Sequence, residues 1–487
     1  MLYLEEEIKN LVYKYNPSGH LEIFKENKIE FKTSFGYLNE SLNLKIKDDS
    51  LFSFSFMSKI FIIISLYQLV EKGLLDLETP LNKLIPELNN TYSFSVSKVI
   101  SGKSKIKDLQ DDINRKYQNE KFYLELNDLE KILYDFKQST LSIEFPDVIS
   151  YLNNNSLGDL NLSNNSKTIL LLLKKVVEVV SSMKLEEYII NNIFLPNDIN
   201  IRSGYNTRLL SYSNFIDGNN KALEFIGDIS EYFMISFDEL SKFFSSLFNY
   251  KLLKKETCKL LLPKNDEYYG ILFYYDNGFI NADINSLKGT CSSGMDNKSL
   301  DLLVVLTRNS FGKKIPGPTS DESFYSGLID VLFTNYFKYN NPKLKKMEFK
   351  YLNSACKIDV FEEQYRYVAS GAFTIAYCSF SKKNHIYVLV DNDCVVGLVS
   401  LFWDKTLKIY QLNSIIIDKK FQNKGYGKYI ANEGSKILFK KGAHLVEIGV
   451  NRNNLIAIKT YLSSGFIISS SDSSHYTLVR YKNDLLN

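Results

Sequence analysis

The sequence predicts a protein of two domains, each combining α-helices and β-strands, from three observations. The chain has 487 residues, which exceeds the size at which one hydrophobic core usually divides. The polar segment NYFKYNNPKLKK, residues 335–346, contains a proline and has no apolar period, as is typical of a linker. After it, strand and helix patterns alternate compactly over about 140 residues. We therefore expect domains at 1–335 and 347–487, joined by a linker at 336–346.

Composition and charge exclude several classes of protein. With 45% hydrophobic and 24% charged residues the chain is ordinary for a folded protein, and its net charge of +3 gives no reason to expect nucleic acid or a membrane surface as a partner. The acidic start MLYLEEE does not resemble a secretion signal, and the strongest apolar run, 60–70, has about half the length that spans a bilayer. The five scattered cysteines form no CxxC pair and no zinc-type cluster, so we expect reduced thiols, no metal and a cytoplasmic location.

Periodicity in the first part predicts a hairpin, three helices and a buried strand. Residues 20–37 alternate as two strands around the turn Glu26-Asn27-Lys28. The helices are predicted at 58–72, which ends at Gly73, and at 168–180 and 236–250; the strand is predicted at 302–307.

The second part reads as an alternation of strands and helices. Strands are predicted at 385–390, 394–403, 407–418 and 444–450, with a last strand beginning at Gly465-Phe466. Helices are predicted at 429–440 and 454–463.

A glycine-containing loop separates the third of these strands from the first helix. Its sequence is Gln422-Asn423-Lys424-Gly425-Tyr426-Gly427-Lys428. Glycines let successive N–H groups turn toward one anion, and a helix N-terminus adds partial positive charge. Two lysines add formal charge. The Q-x-x-G-x-G spacing differs from a P-loop, which ends in G-K-[ST], and from the dinucleotide fingerprint G-x-G-x-x-G. We predict a phosphate-binding loop.

Two blocks of sequence carry a resemblance to a known superfamily. The block IIIDKKFQNKGYGKYI is similar to the pyrophosphate-binding motif of the GNAT N-acetyltransferases, and NRNNLIAIKTYLSSGF is similar to their Asn…Tyr…Gly-Phe motif. The blocks stand in the family's order and at about its separation, and the preceding hairpin with Val396-Gly397 also matches. The resemblance covers essentially the whole domain. It implies a mixed-sheet α/β fold and acetyl-CoA as the acetyl donor.

The resemblance also implies roles for individual residues. The loop Gln422–Lys428 would bind the cofactor, with the N–H groups from Asn423 onward holding the pyrophosphate. The main chain of Ile415 and Ile417 would pair with the pantetheine arm as an added strand. Asn454 would assist cofactor binding. Tyr461 aligns with the tyrosine that often protonates the leaving thiolate.

The implied chemistry is direct attack of a neutral amine on a thioester, so the site must deprotonate an ammonium and protonate a sulfur. The sequence does not identify the general base. Glu447 on the following strand and Asp418 near the loop are the two candidates, and a chain of waters is a third possibility. The acceptor is expected to be a primary amine of a small molecule or peptide.

Three stretches of the first part resemble the serine β-lactamase and penicillin-binding-protein superfamily, near its class C and esterase branch. They are DDSLFSFSFMSKIFIIISLYQLVEKGLLDLETPLNKLIPEL from Asp48, KLEEYIINNIFLPNDI from Lys184 and DISEYFMISFDELSKFFSSLF from Asp228. The resemblance covers about residues 10–335. It implies an α+β domain in which an antiparallel sheet is flanked by helices, with an added helical subdomain.

The catalytic motifs depart from that superfamily. Its Ser-x-x-Lys motif would place the nucleophilic serine three residues before Lys59, where this chain has Phe56. Ser55 and Ser58 are out of register, because each helical residue turns by roughly 100°. The Tyr-x-Asn motif is replaced by Leu162-Ser163-Asn164 or Asn165-Ser166-Lys167, and the Lys-Thr-Gly motif by Lys288-Gly289-Thr290.

Three functional hypotheses follow from these patterns. The first is an acetyl-CoA-dependent N-acetyltransferase whose inactive β-lactamase-like domain serves as scaffold or substrate-recognition module. The second is a bifunctional hydrolase and acetyltransferase with a displaced serine. The third is a binding protein without catalysis. Binding of acetyl-CoA separates the first from the third, and covalent labelling of a serine separates the second from the first.

Overall fold

The computed structural model describes residues 2–39, 43–126, 131, 143–158, 166–202, 232–263, 270–276, 278–285, 291–310, 323–337 and 341–482. Over these residues the main sheets are one of six strands in the first part of the chain and one of seven in the second. No helix within the described ranges has the length and apolar character needed to cross a bilayer.

The six-stranded sheet is antiparallel, in the order β2-β1-β11-β10-β9-β8 over the described residues. Its strands are β1 (Ser18–Lys25), β2 (Lys28–Phe35), β8 (Tyr274–Asp276), β9 (Phe279–Asn285), β10 (Cys291–Asn297) and β11 (Leu302–Ser310). Glu26 and Asn27 have positive φ, as a tight hairpin turn requires. The predicted hairpin and the predicted strand at 302–307 are confirmed.

Short strands complete the first part. They are β3 (Tyr37–Asn39), β4 (Leu44–Lys45), β5 (Leu51–Ser55), β6 (Ile201–Arg202) and β7 (Tyr232–Ser236). Strand β3 pairs with β4, and the other three form a small sheet in the order β5-β7-β6.

Helices cover both faces of the six-stranded sheet. Those of the first part are α1 (Leu2–Tyr15), α2 (Lys59–Glu71), α3 (Leu81–Leu84), α4 (Val96–Ile100), α5 (Leu109–Gln118), α6 (Lys121–Glu125), α7 (Phe145–Asn153), α8 (Lys167–Ser181), α9 (Leu185–Ile189), α10 (Phe237–Phe248), α11 (Lys255–Leu261) and α12 (Phe324–Tyr336). Helix α2 is apolar on all sides and packs at the centre of one core, as such a helix must. The three helices predicted in this part are confirmed as α2, α8 and α10.

The seven-stranded sheet has the order β12-β13-β14-β15-β16-β18-β17 and is mixed, because β15 and β16 run parallel. Its strands are β12 (Lys343–Lys346), β13 (Asn384–Asp391), β14 (Cys394–Asp404), β15 (Ile409–Ile417), β16 (Leu445–Asn451), β17 (Ile467–Ser471) and β18 (His475–Tyr481). Its helices are α13 (Phe349–Cys356), α14 (Gly371–Ser379), α15 (Tyr426–Lys440) and α16 (Leu455–Leu462).

Two predicted boundaries in this part need correction. The last residues of the predicted linker 336–346 form β12, which pairs with β13, so the second sheet begins inside the predicted linker. The lysines of KLKK give this segment no apolar pattern, so the sequence predicts no strand there. An edge strand tolerates such charged residues. Helix α15 also begins at Tyr426, three residues earlier than the predicted Tyr429.

A continuous apolar cluster joins the two parts of the chain. It contains side chains from α1 and α12, from one face of the six-stranded sheet, and from the seven-stranded sheet with α15. Polar contacts cross the same boundary. The Asn297 amide donates to the Asn392 carbonyl at 3.3 Å. Asn353 of α13 and Lys357, directly after this helix, each approach the Asp276 carboxylate at 3.4 Å. The second domain is therefore packed against the first.

Candidate functional site

Strands β15 and β16 diverge at the centre of the seven-stranded sheet. Across the fully described range 341–482 their register contains a single pair, Gln411 with Glu447. Beyond that pair, the register of β15 against β14 shifts between Val399 and Ser400, and Ser414 takes a φ of 21°. This is a β-bulge, which bends the strand that carries it. The rest of β15 follows β14 and leaves an opening beside β16.

The main chain of Ile415 and Ile417 faces this opening. The Asp418 N–H donates to the Val396 carbonyl at 3.1 Å, and main-chain groups alternate sides along an antiparallel pair. Ile416 therefore faces β14, while its two neighbours face away from β14. The Ile417 carbonyl accepts a hydrogen bond from the Gln422 side chain at 3.0 Å. The edge predicted to receive an added strand is thus exposed in the expected direction.

The loop after β15 has the backbone of an anion-binding turn. Asn423 has a φ of 60° and Gly425, the N-cap of α15, a φ of 86°, so left-handed residues alternate with others before the helix. A Cβ placed on Gly425 would meet no atom within 4 Å, so the space in front of the helix is open. The first N–H groups of α15 have no partner within the helix itself. Open space bordered by N–H donors suits a phosphate group.

The second glycine of the loop has a different structural role. A Cβ on Gly427 would lie 3.3 Å from the Thr460 methyl group on α16. Gly427 therefore allows α15 and α16 to approach each other closely, in addition to presenting its N–H.

The loop side chains do not all point where the sequence suggested. Tyr426 is buried, and its hydroxyl donates to the Asp391 carboxylate at 2.8 Å, so the ring anchors the start of α15. The Lys424 ammonium lies 5.6 Å from the Phe337 ring centre and 5.9 Å from that of Phe421, and burial lowers its pKa. Lys424 is thus directed at aromatic rings, whereas Lys428 is exposed on the first turn of α15.

Asp418, one of the two candidate bases, has a structural role at the start of the loop. Its carboxylate accepts hydrogen bonds from the N–H groups of Asp359 at 3.2 Å and Lys420 at 3.1 Å. Burial raises the pKa of this carboxyl. Because its oxygens are used to fix the backbone, Asp418 is the weaker candidate for a mobile proton acceptor.

Glu447, the other candidate base, lies where the two central strands part. Its carboxylate is half-buried and accepts a hydrogen bond from the Gln411 amide at 3.2 Å. Gln411 is also its partner in the β15–β16 register, so the pair marks the closed end of the opening.

Tyr461 lies on α16 with only 8% of its surface exposed. Its ring packs 6.3 Å from that of Phe466, and no hydrogen bond to its hydroxyl is found among the described residues. Burial raises the pKa of this phenol, which keeps the hydroxyl protonated at neutral pH. Asn454 caps the same helix, since its side chain accepts from the Ala457 N–H at 3.2 Å.

Sequence reasoning missed two features of this site. The Ser414 bulge has a signal in retrospect, because the polar pair Asn413-Ser414 directly precedes three isoleucines in the same strand. The second feature is the segment 357–370 between α13 and α14. Its Gln364 exchanges two side-chain hydrogen bonds with Gln422, at 2.8 and 3.0 Å, and nothing local in the sequence predicted that contact.

The position of the expected serine nucleophile in the first domain is filled by packed aromatic rings. Phe56 is 5% exposed, and its ring centre lies 4.7 Å from that of Phe233. Ser55 is buried and its hydroxyl accepts from the Met57 N–H at 3.0 Å. Lys59 begins α2, and burial lowers its pKa to about 8.

The segments that replace the Tyr-x-Asn and Lys-Thr-Gly motifs lie mostly outside the described residues. Leu162-Ser163-Asn164 and Lys288-Gly289-Thr290 lie outside the described residues, as does Asn165. Ser166 is described and caps α8, accepting from the Ile169 N–H at 3.2 Å. Within the described ranges, no group of three His, Cys, Asp or Glu side chains is placed to hold a metal ion.

Comparison with known proteins assigns a family to the second domain and a fold to the first. Residues 349–466 match the acetyltransferase (GNAT) family. No curated protein sequence matches the chain. Among solved structures, a D-amino acid amidase from Ochrobactrum anthropi is 13% identical over 68% of this chain and 98% of its own, with a TM-score of 0.50.

Two further structures have slightly lower scores. FmtA from Staphylococcus aureus is 15% identical over 69% of this chain and 88% of its own, with a TM-score of 0.49. A class C β-lactamase from Rhodobacter sphaeroides is 11% identical over 69% and 99%, with a TM-score of 0.48. The predicted fold class of both parts is confirmed: a β-lactamase-like α+β part is followed by a GNAT domain with a mixed sheet.

Proposed function

We propose that the second domain, residues 347–487, transfers an acetyl group from acetyl-CoA to a primary amine of a small molecule or peptide. The observation that carries the proposal is the divergence of β15 from β16 at the Ser414 bulge, directly before the glycine loop. The chain then offers an outward-facing strand edge followed by an anion-binding turn. That combination suits a ligand made of an amide-containing arm and a pyrophosphate.

The described residues fit such a ligand. The outward-facing main chain of Ile415 and Ile417 can pair with the amides of a pantetheine arm, in the manner of an added strand. The Ile417 carbonyl accepts a hydrogen bond from the Gln422 side chain, so an incoming amide would share this acceptor with Gln422 or replace it. The N–H groups of Asn423–Lys428 can hold the pyrophosphate, with Lys428 adding charge.

The chemistry requires one proton to leave and one to arrive. The bound acetyl-CoA supplies the thioester; a C–N bond forms as the C–S bond breaks. Glu447 is the proposed acceptor for the ammonium proton, directly or through water. Tyr461 is the proposed donor to the leaving sulfur, because it stands at the motif position that the resemblance assigns to that role and its hydroxyl is protonated at neutral pH.

For the first domain we propose a scaffold role without serine hydrolase activity. The supporting observation is Phe56, whose phenyl ring fills the nucleophile position and packs on Phe233. A ring cannot attack a carbonyl, and Ser55 uses its hydroxyl to hold the Met57 N–H. The rival with a displaced nucleophile requires a serine that forms an acyl-enzyme.

The decisive experiment measures thiol release from acetyl-CoA by the full chain against a panel of amines and amino-acid derivatives. Calorimetric titration with acetyl-CoA accompanies it. We expect micromolar-range binding, as is common for enzyme substrates, and amine-dependent release with at least one acceptor class. Absence of acetyl-CoA binding to the folded protein would overturn the acetyltransferase proposal and favour a different ligand.

A further inference from the structure

The loop proposed to bind the cofactor pyrophosphate rests on a helix of the other domain. Helix α12 presents Asp330 and Phe333 toward the turn Lys419–Phe421, and Phe337 follows at the end of the same helix. That turn leads directly into the loop residues Gln422–Lys428. The two domains therefore meet at the cofactor loop itself.

One part of this contact is ionic. The Lys420 ammonium lies 2.6 Å from the Asp330 carboxylate, and the Asp330 oxygen that faces it is shielded from solvent. Burial lowers the pKa of Lys420, but the carboxylates of Asp418 and Asp330 outweigh that effect and leave the pKa above its ordinary value. The lysine is thus held as a cation between one carboxylate of each domain.

The other part of the contact is aromatic. The Phe421 ring is 2% exposed, and its centre lies 5.3 Å from that of Phe333 and 4.7 Å from that of Phe337. The Lys424 ammonium lies over Phe337 as well. Aromatic pairs at these separations add to the apolar burial and fix the relative orientation of the rings.

These contacts matter because the loop depends on uncommon backbone geometry. Asn423 and Gly425 both have positive φ, and the N–H groups point at one anion only while these angles are kept. A loop without such contacts would lose conformational entropy when it binds a ligand. A loop that is fixed by contacts with α12 has already lost that entropy during folding. A support on both sides of Phe421 supplies that preorganisation.

We propose that Asp330 of the first domain is a positioning residue for the cofactor loop of the second, acting through its ion pair with Lys420. This inference rests on the proposed acetyl-CoA site. It gives the β-lactamase-like domain a direct part in cofactor affinity, so the domain is more than an appended module. Asp330 itself is not among the residues proposed to contact acetyl-CoA.

The test compares variants of the full chain by calorimetry and steady-state kinetics. Asp330→Asn keeps the shape and removes the charge, so we expect Kd and KM for acetyl-CoA to rise roughly tenfold with kcat almost unchanged. Asp330→Glu, which keeps the carboxylate, should recover most of the affinity. Ser299→Ala is the matched control, because it removes an interdomain hydrogen bond to Asp393 at the β13–β14 turn.

A double-mutant cycle distinguishes the ion pair from general damage. Lys420→Met and Asp330→Asn should weaken binding by similar factors, and their combination should weaken it by no more than the larger single factor. Independent, multiplying effects would overturn the assignment. So would an unchanged Kd in Asp330→Asn, or an equal loss in Ser299→Ala.

A readout without cofactor keeps the inference separate from the proposed function. Amide hydrogen exchange of residues 419–428 in the unliganded protein should speed up in Asp330→Asn and stay unchanged in Ser299→Ala. If the wild type fails to bind acetyl-CoA, the acetyltransferase proposal falls, and faster exchange still supports positioning of the loop by Asp330. Unchanged exchange overturns the positioning role in either case.

Discussion

Two strand-to-helix junctions of this molecule can be compared directly. In the first domain, β5 ends at Ser55 and α2 begins at Lys59; in the second, β15 ends at Ile417 and α15 begins at Tyr426. The first junction is filled by Phe56, packed against Phe233. The second is an open glycine loop. The space in front of a helix, as well as its N-terminal N–H groups, decides whether it can receive a ligand.

Aromatic rings pack closely at the filled junction. The rings of Phe61, Phe194 and Phe233 lie 5.3–5.6 Å from one another, and Phe56 joins this cluster through Phe233. Aromatic contacts at such separations stabilise a core. The open junction has the reverse character, since a Cβ on Gly425 would touch nothing within 4 Å.

The largest effect is expected from Gly425→Val. The φ of 86° is unfavourable for any residue with a Cβ, by about 1–2 kcal/mol, and more so for a β-branched one. The loop must rearrange, and its N–H groups no longer converge. We expect loss of measurable acetyl-CoA binding by calorimetry, with the circular dichroism spectrum retained.

A control for backbone strain is available in the first domain. Gly73 follows α2 with a φ of 70°, and a Cβ there would also meet no atom within 4 Å. Gly73→Val should lower the melting temperature by about as much as Gly425→Val does. It should leave the affinity for acetyl-CoA unchanged. Equal affinity of Gly425→Val and wild type would remove the loop from the cofactor site.

The second prediction concerns the filled junction. Phe56→Ser restores a hydroxyl at the expected nucleophile position but empties packed space, so we expect the free energy of unfolding to fall by roughly 2–4 kcal/mol. Mass spectrometry after incubation with a penicillin should find no acyl adduct on the wild type or the variant. A stoichiometric adduct at Ser55, at Ser58, or at Ser95, which stands three residues before a lysine, would instead support the displaced-nucleophile hydrolase.

Tyr461→Phe should reduce turnover by about 10- to 100-fold, the lower range of what one general acid contributes. The phenyl ring keeps the packing on Phe466, so Kd for acetyl-CoA should change little. Tyr429→Phe, which removes a hydroxyl bonded to the Pro342 carbonyl, serves as the comparison. An unchanged rate under conditions where chemistry limits turnover would exclude Tyr461 as the proton donor.

The sequence predicted the elements of both junctions because their signals are local. Gly425 identifies the loop, and the apolar run after Lys59 identifies α2. The direction of Lys424 could not be predicted, because it depends on Phe337, which is 87 residues away in the chain. The ion pair of Asp330 with Lys420 likewise joins residues 90 positions apart in the chain. Periodicity and motif spacing carry no information on such contacts, which arise only when the domains pack.

The smallest expected effect is a pH dependence at the filled junction. Burial lowers the pKa of Lys59 to about 8, whereas an unfolded lysine titrates near 10.4. Between these values the unfolded state binds more protons, so the free energy of unfolding should rise with pH. Below about pH 8 both states are protonated, and the buried charge carries its full cost.

Lys59→Met removes this contribution while keeping the length of the side chain. The variant should therefore be more stable than wild type at pH 7, by about 1–2 kcal/mol after allowing for partial solvent access to the lysine. The difference should shrink as the pH rises from 8 toward 10.5, because the folded wild-type lysine loses its proton over this range and no longer buries a charge. Calorimetric melting of both proteins across this range measures it, and the other titrating groups cancel in the comparison. A stability difference that stays constant with pH would mean that the pKa of Lys59 is not lowered in the folded domain, and that water reaches this junction in spite of the aromatic packing.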